Sequence, residues 1–417
     1  MHTSVQPASS YRWVLCSLLF FATTITYFDR QILSLLKPTL DEQLHWTNAQ
    51  FGLVNASFQG AYALGLLGFG RLIDRGGVKF GYALSIAWWA LAASGHALAA
   101  SISGFAAARI FLGLGEGGNF PSAIKTVALW FPQKDRAFAT SLFNSGANVG
   151  AMLAPAIVPW IALAWGWQSA FLMAGAAGLV WLALWVPLYR APNASEAPEP
   201  SAAHDETHPS LRTLLRSREA WSFIVAKFLT DPVWWFFLIW LPDYFKKTRH
   251  LDLKHSWAHL TSIYLLVTVL SIAAAGLTGR LVAQGWSVTR ARKTVMFGCA
   301  CAVVPIILVR WASPWQAVVL IGLAGAAHQA WSANLYTTVS DLLPRSAVAS
   351  MTGLGSMAGC LSGMAFPIVT GLLLDRFAAR DDVAGGYSVL FALCAAAYLT
   401  AFFFHHLLAP RFERKTN

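Results

Sequence analysis

Apolar runs of about 20 residues recur from one end of the chain to the other, separated by short polar stretches. At 1.5 Å per residue, a helix of that length crosses the hydrocarbon core of a bilayer. The pattern predicts twelve helices, over residues 12–36, 48–70, 78–99, 102–130, 137–163, 166–189, 219–245, 257–283, 293–311, 314–340, 346–374 and 386–409. Residues 191–218 break it, being rich in Pro, Ala and acidic side chains and then basic. That composition predicts a linker, with a short amphipathic helix at 211–218. The chain then divides into a six-helix bundle over 1–190, a cytoplasmic linker over 191–218 and a second six-helix bundle over 219–417.

Composition agrees with the pattern. Of 417 residues, 56% are hydrophobic and 12% charged, about half the charged share of a soluble domain. The first apolar run is too long for a signal-peptide core and lacks an obvious cleavage site, so it reads as a retained helix. A net charge of +11 in a soluble protein would suggest nucleic acid. Here the Lys and Arg lie mainly in short loops, and the side holding both termini has more than twice as many as the other. The bias places both termini in the cytoplasm and accounts for the charge by topology, with no nucleic-acid partner. Cys16, Cys299, Cys301, Cys360 and Cys394 all lie inside apolar runs without metal spacing and read as small buried hydrophobes. There is no G-x-x-x-x-G-K-[ST] loop, which argues against ATP as the energy source. No metal cluster or nucleophile–base set stands out, so neither an enzyme nor a bound cofactor is expected.

The halves repeat. A constant offset of 212 residues matches Thr126-Val127 to Thr338-Val339, Pro132 to Pro344, Ala137 to Ala349, Met152 to Met364 and Pro155 to Pro367. Parallel duplication is one of the known transporter plans, with the substrate near the midplane at the repeat interface. Gly355, Gly359 and Gly363 recur every fourth residue, a spacing suited to close helix packing.

After the second run comes Gly70-Arg71-Leu72-Ile73-Asp74-Arg75-Gly76-Gly77-Val78-Lys79. It resembles the signature loop of the major facilitator superfamily, G-x-L-x-D-R-x-G-R/K-R/K, departing only at Val78. Asp74 can pair with a basic residue or cap a neighbouring helix, a polar latch that implies a gating role for Asp74 and Arg75. The copy in the second half, Gly279-Arg280-Leu281-Val282-Ala283, has lost the acid. Three further runs point within the superfamily: Tyr27-Phe28-Asp29-Arg30, Leu114-Gly115-Glu116-Gly117-Gly118-Asn119-Phe120-Pro121, and His328-Gln329-Ala330-Trp331-Ser332-Ala333-Asn334-Leu335-Tyr336. These resemble the anion:cation symporter family, most of all its bacterial hexuronate (galacturonate, glucuronate) carriers. The resemblance covers essentially the whole chain. It implies an all-helical fold of two pseudo-symmetric six-helix bundles, acting as a monomer in the bacterial inner membrane. It also implies a proton-coupled symporter for a small organic anion.

Charges inside membrane helices cost about 2.5–3.5 kcal/mol each on insertion scales and are functional candidates by default. By depth, Asp29 and Arg109 lie about 10 Å below the outer surface at one level, which predicts an Asp29–Arg109 pair. Glu116 lies two turns deeper on the face of Arg109, where apolar surroundings favour the neutral acid. The resemblance makes Asp29 and Glu116 the proton-coupling acids, and Arg109 would couple them. Arg30 shares a face with Tyr27 and can grip a carboxylate with two parallel bonds, which makes it the expected substrate anchor. Tyr62 could bind substrate hydroxyls. The repeat offset pairs Glu116 with His328, Asn119 with Trp331 and Asn144 with Ser356. His328, Trp331, Asn334 and Tyr336 offer hydrogen bonds and an apolar platform for a sugar. Asn144 and Asn148 lie one turn apart on the fifth helix. Asp231 sits beside Pro232 in a helix that its prolines predict to be broken or bent, at a position suited to release or gating. Lys125 and Lys227 lie near cytoplasmic ends, where they can snorkel. Competing readings are a carrier for another organic anion (an aldonate, glucarate or an aromatic acid), sodium in place of protons, and a non-transporting membrane sensor.

Overall fold

In a bilayer every backbone N–H and C=O must find its partner inside the protein, and a helix achieves this segment by segment. The computed structural model describes residues 10–192, 211–342 and 345–412, and its regular elements there are helices. They are α1 (Tyr11–Leu44), α2 (Asn48–Gly76), α3 (Val78–Gly95), α4 (Ile102–Glu116), α5 (Asn119–Trp130), α6 (Gln133–Trp165), α7 (Trp167–Leu188) and α8 (Leu211–Leu214). Then follow α9 (Arg218–Arg249), α10 (Leu253–Ala275), α11 (Leu277–Ala283), α12 (Val288–Val303), α13 (Pro314–Leu342), α14 (Arg345–Ala378) and α15 (Val383–Leu408). Among the described residues, 8 spans are long and apolar enough by themselves to cross a membrane.

Each predicted run is helical, with instructive departures. The fourth is two helices, α4 and α5, broken at Gly117-Gly118. Glycines bring backbones together at this break. A Cβ on Gly117 would lie 2.4 Å from the carbonyl carbon of Gly65, and one on Gly65 would lie 2.4 Å from the Leu114 carbonyl oxygen. The ninth run tightens from α12 into a 3-10 stretch, Val304–Trp311, where Pro305 removes a backbone donor. The seventh, by contrast, runs unbroken through Pro232 and Pro242. Most of the linker lies outside the described residues. Its expected helix is the single turn α8, after which Ser217 caps α9 by accepting from the Ala220 N–H.

The chain clusters into two compact units, Met1–Leu33 with Gly60–His204, and Ser34–Gln59 with Asp205–Asn417. In the first unit α6 lies directly on α1. A Cβ on Gly146 would sit 2.4 Å from the Phe20 carbonyl oxygen, and one on Gly150 would sit 2.3 Å from that of Thr24. This approach fixes the part of α1 that carries Tyr27, Asp29 and Arg30.

In the second unit the far end of α1 and the start of α2 are tied down by charge. Asp375 accepts from the Asn48 N–H (2.9 Å), the Asn48 side chain (2.8 Å) and the Ala49 N–H (2.8 Å), so a carboxylate from α14 caps α2. Lys37 bonds Asp41 at 2.7 Å and Asp243 at 2.9 Å. Asp243 also pairs with Lys247 at 3.1 Å and accepts from the Tyr387 hydroxyl at 2.5 Å. The side chains of Lys37 and Asp243 are 1% and 0% exposed. Sequence alone puts Lys37 in a loop, because the apolar run ends at Leu36. The helix continues to Leu44 because the network satisfies its polar last turns.

Two outcomes follow. Replacing Lys37 by Ala leaves Asp243 buried short of a partner and costs about 3–5 kcal/mol, whereas Lys37→Met with Asp243→Asn costs less than that single change. Thermal melting followed by tryptophan fluorescence reads both, and a double variant no better than Lys37→Ala alone would argue against a charge-balanced cluster. Gly150→Leu abolishes the monodisperse folded species on size-exclusion chromatography. Gly68→Ala, where a Cβ meets nothing within 4 Å, preserves it.

Candidate functional site

The site of the first unit is built around one buried ion pair. The Arg30 Nε lies 2.7 Å from Glu116 Oε2, with side chains 7% and 0% exposed. Such a charge-assisted bond is strong where water cannot screen it. α1 supplies Arg30 one turn after Tyr27, α2 supplies Tyr62, and α4 ends on Glu116. The Arg30 guanidinium lies 4.8 Å from the Tyr27 ring centroid and 4.7 Å from that of Tyr62, a cation held between two aromatic faces. Both tyrosines are half-buried. Arg109, buried one level away, points its Nη2 at the Arg30 carbonyl, 3.4 Å off.

This corrects one expectation. Asp29 and Arg109 form no ion pair; Glu116 takes Arg30 instead. Asp29 is 2% exposed, and neither of its carboxyl oxygens has a hydrogen-bond partner among the described residues. The depth estimate placed backbones and not side-chain ends. An arginine is long enough to span a turn, and the two tyrosine faces steer Arg30 inward to Glu116. Asn119, just past the break, accepts from the Tyr82 hydroxyl at 2.5 Å. On α6, Asn144 is exposed and Asn148 half-buried.

In the second unit, His328 Nδ1 lies 2.6 Å from the Tyr398 hydroxyl, and its ring stacks on Trp234 with centroids 5.5 Å apart. Trp331 is fully buried and packs edge-on against Tyr398, so in this structure it is a core side chain and offers no open sugar platform. Asn334 accepts from Thr278 at 2.8 Å and donates to the Ala330 carbonyl at 2.9 Å, which ties it to the fold. Tyr336 stays 37% exposed, and its hydroxyl is 3.5 Å from that of the half-buried Ser356. Asp231 pairs with Lys227 at 2.7 Å. Lys227 does not snorkel: it is 5% exposed, with its ammonium 4.5 Å from the Tyr336 ring centroid.

At the signature loop, Asp74 pairs with Lys125 at 2.8 Å, while the Lys125 ammonium also reaches the Ile73 carbonyl at 3.0 Å. Lys125 thus anchors α5 to the end of α2, and Arg75 is exposed. The sequence reading missed Tyr398, which holds His328, and the Lys37–Asp243–Tyr387 network. Tyr398 gave no signal, since a tyrosine in an apolar run reads as packing. Asp243 did, as an acid beside a proline inside a membrane helix.

Known proteins agree with the architecture. The profile of the Major Facilitator Superfamily matches residues 19–367. The hexuronate transporter of Escherichia coli (strain K12) is 30% identical over 402 residues, covering 92% of this chain and 90% of that one. The galacturonate transporter of Dickeya chrysanthemi is 34% identical over 256 residues, covering 58% of this chain and 74% of the relative. Among solved structures, a bacterial homologue of the human lysosomal transporter Spinster superposes with a TM-score of 0.78 over 96% of this chain and 97% of its own. At 16% identity that likeness is one of fold alone. The apolar helices, the signature loop and the matched profile together make this chain a multi-pass membrane protein of the Major Facilitator Superfamily of transporters.

Proposed function

We propose that the protein imports a hexuronate such as galacturonate or glucuronate together with protons, by alternating access, across the inner membrane of a bacterium. The observation that carries this reading is the Arg30–Glu116 pair between two tyrosine faces. Arg30 already grips a carboxylate, and that carboxylate belongs to the protein. A sugar acid presents the same group. It can take the place of Glu116 only if the displaced carboxylate is neutralised, because an unpaired charge in this setting costs several kcal/mol.

Protonating Glu116 therefore frees Arg30, and the substrate carboxylate restores the neutral pair. One proton then accompanies one anion, and neither binds well without the other. Asp29, buried without a hydrogen-bond partner among the described residues, is a second acid suited to carry a proton. Arg109, beside the Arg30 carbonyl, links the two. Tyr27 and Tyr62 hold the sugar ring by their faces and hydroxyls. Asn144, Asn148, His328 and Ser356 supply polar contacts to the polyol. Asp74 with Arg75 serves the gate on the face that carries the termini, which the loop charges place in the cytoplasm. Sugar-acid relatives on both counts above support the substrate class.

Uptake of labelled galacturonate and glucuronate into proteoliposomes tests this. An inward proton gradient stimulates uptake, and unlabelled hexuronate competes. Failure of both sugar acids to enter, with folded protein, would overturn the substrate; stimulation by sodium alone would overturn the coupling. Glu116→Gln abolishes gradient-driven uptake but keeps exchange of internal for external substrate, because its neutral amide mimics the protonated acid. Arg30→Lys weakens substrate binding by about 10–100-fold, the worth of one charged hydrogen bond when the two-pronged grip is lost. Equal affinity in that variant would remove Arg30 from the site.

A further inference from the structure

Between Asp252 and Asp341 the chain has no acidic residue. Within that stretch Arg280, Arg290, Arg292 and Lys293 crowd one connection, from α11 into the start of α12. In the first unit the signature loop answers a cation with its own acid, Asp74 on Lys125 at 2.8 Å. The second copy has Ala283 in place of that acid. Two of its four cations are answered by the rest of the second unit. Arg292 bonds Asp341 at 2.5 Å and the Thr337 hydroxyl at 2.5 Å, and Lys293 donates to the Pro410 carbonyl at 2.7 Å. Arg280 and Arg290 stay exposed and pair with no acid among the described residues.

The same three helices, α11, α12 and α13, wall a cleft of about 380 Å³. Thr278, Arg292, Asn334 and Thr337 give it a polar lining, and the exposed Val282 and Val288 an apolar one. α11 stands clear of the rest of the unit: none of its residues is buried, and a Cβ on Gly279 would meet nothing within 4 Å. Arg292 is fixed through its Nε and Nη1, which leaves Nη2 without a partner among the described residues. In the turn between α11 and α12 the half-buried Trp286 lies under Arg290, whose guanidinium carbon is 4.2 Å from the ring centroid. Tryptophan favours the level where hydrocarbon gives way to headgroups. The connection lies on the face that carries the end of the chain, because the Phe412 N–H donates to the Thr289 hydroxyl at 3.0 Å.

We propose that this cleft binds the headgroup of an anionic phospholipid, with the phosphate held by Arg280, Arg290 and the free Nη2 of Arg292. The occupant follows from charge and from place. Guanidinium groups grip phosphate oxygens through paired N–H bonds, and here no acid of the protein competes for two of them. A zwitterionic lipid brings a cation of its own, which the arginines repel. A small soluble anion satisfies the arginines but leaves Leu277, Val282 and Val288 bare, all of them exposed beside the cleft. A lipid covers both, its phosphate on the cations and its acyl chains along the apolar flank. Basic pockets between membrane helices on the cytoplasmic side suit anionic headgroups, and the loop charges read this face as cytoplasmic.

Native mass spectrometry of the purified full-length chain, with phosphatidylglycerol or phosphatidylcholine of the same acyl chains added to the detergent, measures the affinity for each lipid. Wild-type protein binds phosphatidylglycerol about tenfold more tightly, the scale that two arginines set at a membrane surface. Arg280→Gln with Arg290→Gln lowers this preference about fivefold or more. Arg216→Gln with Arg218→Gln, which removes two exposed charges elsewhere in the second unit, preserves it. Equal binding of the two lipids by wild-type protein overturns the inference, even where a variant does not fold. An equal loss of preference in both variants overturns it too, since attraction to net charge alone then explains the binding. Glycerol phosphate, which has the phosphate without acyl chains, does not displace the lipid at equal concentration; displacement would make this a site for a soluble anion and overturn the lipid.

Discussion

A charge in hydrocarbon must be answered by another charge, and this constraint organises the molecule. Arg30 is answered by Glu116, Lys37 by Asp41 and Asp243, and Lys227 by Asp231. Fold and function part company over what each answer accomplishes. Where the partners come from distant segments, pairing holds helices in place. Under the proposed function, the Arg30–Glu116 pair is instead a placeholder in which a ligand carboxylate takes the position of Glu116.

Close backbone contact is the other half of the design. Glu116 meets Arg30 because α4 ends at Gly117-Gly118 and leans on Gly65, and α1 is fixed by Gly146 and Gly150. Without a hydrophobic drive between helices in lipid, small residues that admit such approach supply the packing. The glycines around Glu116 thus act on the chemistry through position. At Gly355, Gly359 and Gly363 the same device works differently, making room for the side chains of Phe223, Asp231 and Trp235 rather than for a backbone.

Much of this was legible in the sequence. Hydropathy is local, so all twelve apolar runs were found, and intramembrane charges drew attention to Arg30, Asp29, Arg109 and Glu116. The pairing among them was not legible. Rise per residue gives the level of a Cα, while the Arg30–Glu116 bond depends on side-chain reach and on Tyr27 and Tyr62 steering it. The break at Gly117-Gly118 was hidden because glycine is common in unbroken membrane helices. Lys227 was misread as a snorkelling lysine, since nothing local announces that Tyr336, more than a hundred residues away, will cover its ammonium. Trp331 showed the reverse limit: an aromatic next to candidate ligands suggested a sugar platform, and packing against Tyr398 buried it.

The ionic contacts differ in their exposure to water. The Lys37–Asp243 pair is sealed from solvent, whereas Asp74 in its pair with Lys125 is 74% exposed, and Arg12 meets Asp135 across 3.5 Å with both partly open. Dissolved ions screen the open pairs and barely reach the sealed one. Raising the ionic strength therefore loosens the open pairs, among them Lys246–Glu42 at the far end of α1, and spares the sealed one beside it. Salt in a purification buffer thus sorts these contacts by their access to water.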